Sequence, residues 1–375
     1  MRDAPPVKAH HVVEIKRQGL SAERYADVCQ RVEKECAIMM KAMILTEYNR
    51  PLHAVQMAIP EPGEDEVLVR VKACGLCQTD LKIIRGEIPA PIINLPHLSG
   101  HEVAGEVVAV GTRVSGVKVG DIGLVYIYVS CHCCEYCLTG RQNICANVRR
   151  IGFELPGGFA EYLRIPAASL CKFKKGFAFQ QMAILSDAVA TAYHAIMSLA
   201  RVSAGQDVMI VGAGGLGLHG IQIAKLCGAR VIVVDKEPAA LDLAKEMGAD
   251  VLLDQRLNIP QEVNRLTNGY GVDAVLEFVG RNESLSWSLP SLKRGGTLVL
   301  VGYAPQQRFP LDTMAMHYNE WHVIGSRYCH KHELIQVIRL VEEGKIKPCV
   351  SKTFPFDDIN EALAVLQNGK ALGRI

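Results

Sequence analysis

Between Met40 and about Ala168, apolar and polar residues alternate in short runs cut by glycines and prolines. Glu66–Ala73 (EVLVRVKA), Glu102–Val110 (EVAGEVVAV) and Val119–Tyr126 read as strands, and the breaks between them suit a compact β-barrel. From about Ala190 to Gly325 the rhythm changes. Asp207–Val211, Arg230–Asp235, Ala274–Phe278 and Thr297–Val301 are strand-like, separated by helical stretches such as Leu216–Cys227 and Pro238–Met247. That alternation predicts a parallel, doubly wound sheet and an α/β fold. A last helical stretch, His332–Glu343, leads into the tail. At the other end, Tyr25, Val28, Cys29, Val32 and Cys36 fall at helical spacing behind a capping Ser21. They predict a docking or oligomer helix, without chemistry of its own, in an extension spanning 1–39.

Composition narrows the picture. At 375 residues the chain fits two domains better than one core. Hydrophobic residues make up 49% and charged residues 21%, so large cores are within reach. The 41 basic and 39 acidic residues are interspersed and leave a net charge of only +2, which speaks against nucleic acid or a membrane surface as partner. There is no apolar stretch of about 18 residues and no signal-peptide pattern at the start. Of 13 cysteines, five crowd between Cys131 and Cys145, a spacing that points to metal in a reducing compartment and hence to the cytoplasm.

The run VMIVGAGGLG, Val208 to Gly217, is a strand feeding a GxGxxG turn and a helix. Gly212 allows the tight turn, Gly214 lets backbone approach a pyrophosphate, and Gly217 lets helix pack on strand, with Gly215 and Leu216 completing the turn. The next strand ends at Asp235, 18 residues beyond Gly217. A carboxylate there accepts hydrogen bonds from a ribose with free hydroxyls and repels a 2′-phosphate, favouring NAD over NADP. Gly280 and the run Val301, Gly302, Tyr303 end later strands, so the switch-point rule puts them near the nicotinamide.

Cys131, Cys134, Cys137 and Cys145 form C-x2-C-x2-C-x7-C, a set that satisfies a closed, structural zinc; Cys133 breaks the three-residue stride and is left out. Upstream, Cys77-Gln-Thr79-Asp80 follows a strand, and Gly100-His101-Glu102 comes 24 residues after Cys77. One thiolate and one imidazole leave room for a third ligand and an open position, the arrangement of a Lewis-acid zinc.

In that order, CxTD, GHE, four-cysteine lobe, GAGGLG and Asp, the chain resembles the zinc-dependent medium-chain alcohol dehydrogenases from about Met40 to Ile375. The resemblance implies a GroES-like catalytic domain over 40–188 carrying the 131–145 lobe, a Rossmann domain over 189–330, and a return of 331–375 to the first domain. It implies two zinc ions, NAD, a small alcohol or carbonyl substrate in the cleft, and a homodimer or homotetramer. Cys77 and His101 match catalytic-zinc ligands, Glu102 a carboxylate beside the metal, and Asp80 the partner that holds the imidazole. Thr79 matches the hydroxyl that bonds the substrate oxygen, Arg374 a pyrophosphate-binding arginine, and Ile88 and Tyr126 the substrate pocket. That pocket favours a secondary, cyclic or longer alcohol.

Two positions depart from the family pattern. Asp187 takes the third-ligand place, where many relatives carry cysteine; if it is a helix N-cap instead, Glu102 is the substitute. An acidic ligand also admits a polyol, sugar or hydroxyacyl-thioester dehydrogenase. Lys82 stands where many relatives carry a relay histidine, and with an ordinary pKa of about 10.4 it is a poor proton shuttle, best read as solvated and inert. A zinc-free quinone or enoyl reductase, or a non-catalytic zinc protein, is set against by the intact Cys77, His101, Glu102 and Thr79.

Overall fold

The computed structural model describes residues 38–375, so the helix expected between Ser21 and Cys36 lies outside the described residues. The first unit is antiparallel. β1 (Met39–Ile44) and β2 (His53–Ala58) pair as a two-stranded sheet. β3 (Glu66–Gly75), β4 (Glu102–Val110), β5 (Ile122–Val125), β8 (Tyr162–Pro166) and β9 (Leu170–Lys172) form a five-stranded sheet in the order β8-β3-β4-β5-β9. A small pair, β6 (Tyr128–Val129) with β7 (Arg149–Arg150), flanks the cysteine lobe. In β3 the inward Val67 and Val69 are fully buried while Arg70 and Lys72 face water, as the alternation requires.

The second unit is a six-stranded, all-parallel sheet, built from β10 (Asp207–Val211), β11 (Arg230–Asp235), β12 (Val251–Asp254), β13 (Val272–Glu277), β14 (Leu292–Leu300) and β15 (His322–Gly325). Its order is β12-β11-β10-β13-β14-β15, so the chain runs outward twice from the centre. β10 and β13 are neighbours whose connections leave in opposite directions, which opens a crevice beyond Val211 and Glu277. Buried on both faces, Val208, Met209, Ile210, Val231, Ile232 and Val233 explain why these strands are continuous apolar runs.

The C-terminal segment divides. The Lys331–Glu342 helix packs Leu334, Val337 and Ile338 into the cluster that contains Ala192, Ile196 and Ile221. The same helix meets the first unit, where Lys331 donates to the Ala168 carbonyl and Glu342 accepts from the Lys174 N–H. Further on, Ile359, Leu363 and Ile375 join Leu45, Leu81 and Phe159. No single helix among the described residues is long and apolar enough to cross a membrane.

Candidate active site

Cys77 caps the Gln78–Ile84 helix at the end of β3. Its backbone N–H donates to Asp80 Oδ2 at 2.8 Å, and the other Asp80 oxygen faces His101 Nδ1 at 3.4 Å. The CxxD spacing thus does two jobs: it closes the helix N-terminus and leaves the imidazole Nε2 pointing away from Asp80. That Nε2 lies 3.8 Å from Asp187 Oδ2. One ligand-type atom each from Cys77, His101, Glu102 and Asp187 falls within 4.8 Å of the other three. Gly100, at φ +98°, admits this turn, since a Cβ there would come within 2.6 Å of the Phe159 ring.

Gly75 pairs with Glu102 across β3 and β4, and a Cβ on Gly75 would lie 2.1 Å from Glu102 Oε2. The glycine is the space in which the carboxylate sits. Glu102 Oε1 accepts from Arg374 Nε at 2.8 Å and from its Nη2, while Oε2 is buried with no hydrogen-bond partner. Burial, opposed by Arg374, pushes the Glu102 carboxyl up to about 8. Asp187 Oδ1 accepts from Thr191 Oγ1 at 2.7 Å, and Oδ2 lies 2.5 Å from Arg374 Nη2. Burial works against its charge, yet the neighbouring His101 imidazole and the Arg374 cation hold its carboxyl well below the usual range. Asp187 is not a helix N-cap: Val189 opens the Ala190–Tyr193 helix, with no side-chain cap.

These residues suit a cation. Asp80, Glu102, Asp187 and a thiol outnumber Arg374 and His101, and an orphaned buried carboxylate oxygen calls for a further partner. The lobe fits more closely still. Among Cys131, Cys134, Cys137 and Cys145 four of the six sulfur separations run from 3.5 to 3.9 Å, and all lie within 4.8 Å. A tetrahedron of four thiolates at about 2.3 Å from zinc has edges of about 3.8 Å. The N–H groups of Cys131 and Asn147 each donate to Cys145 Sγ at 3.4 Å. Cys133 is exposed and outside the group, and every described cysteine is free. A further cluster, His194, His330 and Glu333, is already satisfied internally: the Glu333 carboxylate accepts from Ser198, from His194 Nδ1 at 3.0 Å and from the His330 N–H at 2.6 Å.

On the coenzyme side, Gly212 has φ +91°, and a Cβ on Gly217 would meet the Gly212 carbonyl at 1.8 Å. Nothing lies within 4 Å of a Cβ on Gly214, which leaves open room before the Gly217–Leu226 helix, capped at Leu216. Asp235 accepts from the Ala213 N–H at 2.6 Å and the Glu237 N–H at 2.9 Å, so it also fixes the turn. Gly280 and Gly302 touch back to back, a Cβ on Gly280 falling 2.5 Å from the Gly302 backbone. The Arg374 guanidinium packs on Gly215 while bonded to both Glu102 and Asp187, so it links the turn to the buried cluster rather than serving the phosphates alone.

The sequence reading passed over His219. Its Nδ1–H donates to the Gly215 carbonyl at 2.6 Å, and Nε2 accepts from the Cys349 N–H at 2.9 Å. Cys349 in turn accepts through its carbonyl from the Arg374 N–H, so one neutral imidazole ties the glycine turn to the arginine's strand. One expectation changes. Lys82 is not a solvated side chain: it donates to the Tyr303 carbonyl and lies 3.5 Å from that ring's centroid. The helix turns it onto the face of Thr79, toward the cleft. Tyr126 is 3% exposed, gives its hydroxyl to the Cys329 carbonyl, and packs with Tyr128 and Tyr328. Ile88 is partly buried against the cluster of Leu45 and Phe159.

Two family models match this chain: an alcohol dehydrogenase GroES-like domain over residues 63–175 and a zinc-binding dehydrogenase over 215–343. A NAD-dependent alcohol dehydrogenase of Sulfolobus acidocaldarius is 35% identical over 342 residues, covering 89% of this chain and 98% of its own. A D-arabinose 1-dehydrogenase (NADP+) of Saccharolobus solfataricus is 33% identical, covering 90% and 97%. Among solved structures, the alcohol dehydrogenase of Aeropyrum pernix superposes with a TM-score of 0.84 at 34% identity, over 89% of this chain and 98% of that one.

Proposed function

The chain belongs to the zinc-dependent medium-chain alcohol dehydrogenases, and we propose that it is the NAD-linked member of that family whose catalytic zinc is held by Cys77, His101 and Asp187. The observation that carries this is the convergence of those three side chains, with Glu102, in a buried cluster that Arg374 joins to the glycine turn. A second zinc goes with Cys131, Cys134, Cys137 and Cys145.

A zinc ion in the cluster supplies a Lewis acid that favours loss of the alcohol proton, and NAD supplies the hydride acceptor. The chain's own residues do the rest. Asp80 fixes the ring orientation of His101. Thr79, half-buried in the first turn of the helix behind Cys77, accepts the substrate hydroxyl and begins the proton's exit. Gly214 leaves room for the pyrophosphate at the helix N-terminus, Asp235 faces the ribose hydroxyls, and Gly280 with Val301–Tyr303 walls the nicotinamide. Arg374 bonds both Glu102 and Asp187, holding Glu102 in reserve beside the zinc site.

The substrate reading is a secondary, cyclic or longer alcohol. The acidic third ligand, together with the likeness to a sugar dehydrogenase, favours a second reading, a polyol or sugar. Initial rates across primary, secondary, cyclic and polyhydroxy alcohols, with NAD and with NADP, decide between them. We expect the highest kcat/KM for a secondary or cyclic alcohol with NAD; a preference for polyols would install the second reading, and a preference for NADP would overturn the role given to Asp235. A homo-oligomer in the cytoplasm completes the proposal, supported by the free thiols and by the open sheet edge at β15.

A further inference from the structure

Lys82 follows Thr79 by three residues in the Gln78–Ile84 helix, so the two side chains share a face. The Lys82 ammonium meets Tyr303, lying 3.5 Å from the ring centroid while donating to the Tyr303 carbonyl. Tyr303 belongs to the loop after β14, whose Gly302 is pressed against Gly280. One residue of the coenzyme unit is therefore held at two points, ring face and carbonyl, by one side chain of the catalytic unit.

Little else holds it. Tyr303 is 53% exposed, so its ring is not fixed by a surrounding core. Lys82, by contrast, is half-buried, and an ammonium leaves water only where other groups replace its solvent; here a carbonyl and the face of a phenol do so. A lysine is a poor proton shuttle in the place of a relay histidine, but its charge at the end of a long apolar stem suits it to grip a ring.

We propose that Lys82 is a positioning residue, which with Tyr303 forms a clasp across the cleft and holds the nicotinamide-facing loop at a fixed distance from Thr79. The inference rests on reading the cleft as a coenzyme site. Fixing a binding loop beforehand strengthens binding by removing the ordering cost from the binding step. A cation–π contact of this kind corresponds to about 2- to 30-fold in an equilibrium constant.

The test is NADH binding by fluorescence titration to the full chain, with kcat alongside, for Lys82→Met, Lys82→Arg, Tyr303→Leu and the Lys82→Met/Tyr303→Leu pair. Lys82→Met is expected to weaken NADH binding about 10-fold and lower kcat, and Lys82→Arg to restore most of both, since it keeps a cation over the ring. In the Tyr303→Leu background Lys82→Met should change binding less than about 2-fold, the coupling expected of a contacting pair. Equal effects in both backgrounds, no effect in either, or loss without rescue by arginine would overturn the clasp while leaving the proposed function standing. A wild-type chain that binds no NADH would overturn both.

Discussion

His219 looks like core: a lone histidine in an apolar helix beside small residues. Its value comes from Gly215 and Cys349, which the fold brings to opposite edges of the ring. Burial pushes its pKa down from the ordinary 6.5 to about 4. Once unfolded it takes a proton below about 6.5, whereas folded it resists until about 4. Its contribution is therefore present above pH 6.5 and lost as pH falls toward 4, up to about 3 kcal/mol for a depression of this size. Denaturant titrations at pH 7.5 and pH 5 should show this loss in the wild type and a smaller one in His219→Gln; identical pH dependence in the two proteins would contradict the assignment. Gly75 was equally hidden, since its partner Glu102 is a register neighbour on another strand. The four lobe cysteines, by contrast, stand at spacings that themselves point to a metal, whereas Cys77, His101 and Asp80 took their roles from the order of motifs that the family shares. Lys82 could be read in neither way, because a side chain that crosses between domains leaves no local pattern.

Strands showed themselves in proportion to their burial. β10 and β11, apolar on both faces, run over the residues their pattern marks, Asp207–Val211 and Arg230–Asp235. β12 and β15 are four residues each and lie at the two edges of the sheet, where one side has no partner and the apolar signal thins. The Ile259–Leu266 helix carries a local signal in its capping Asn258, its early proline and the two turns of apolar spacing from Ile259 through Val263 to Leu266. The edge at β15 has a consequence. The Thr313–Asn319 helix before it buries no residue and exposes Met314 and Tyr318, at 64% and 71%. In the proposed homo-oligomer, this open parallel edge beside exposed apolar groups is the surface we assign to a second copy of the chain. Sedimentation velocity should give a dimer or larger for the wild type and a smaller species for Met314→Asp/Tyr318→Asp; a monomeric wild type, or an unchanged assembly in the variant, would remove this interface.

At the scale of the whole molecule, the two units could be assigned from the switch between a two-residue period and alternating strands and helices. What the sequence left out is how they are joined. Arg374, His219, Lys82 and Tyr303 all act between elements that are far apart in the chain: the first two tie the glycine turn to the buried cluster and its neighbouring chain, the last two the Gln78–Ile84 helix to the loop after β14. The central claim is that this cluster holds a zinc that the chemistry needs, apart from the zinc of the cysteine lobe. Zinc content measured together with NAD-linked alcohol oxidation in the wild type and in Cys77→Ser tests it most directly. The expected result is two zinc ions per chain in the wild type, and in the variant one zinc with activity reduced at least about 1000-fold, as loss of a Lewis-acid ion entails. Full activity in a Cys77→Ser protein that has lost that ion would contradict the account.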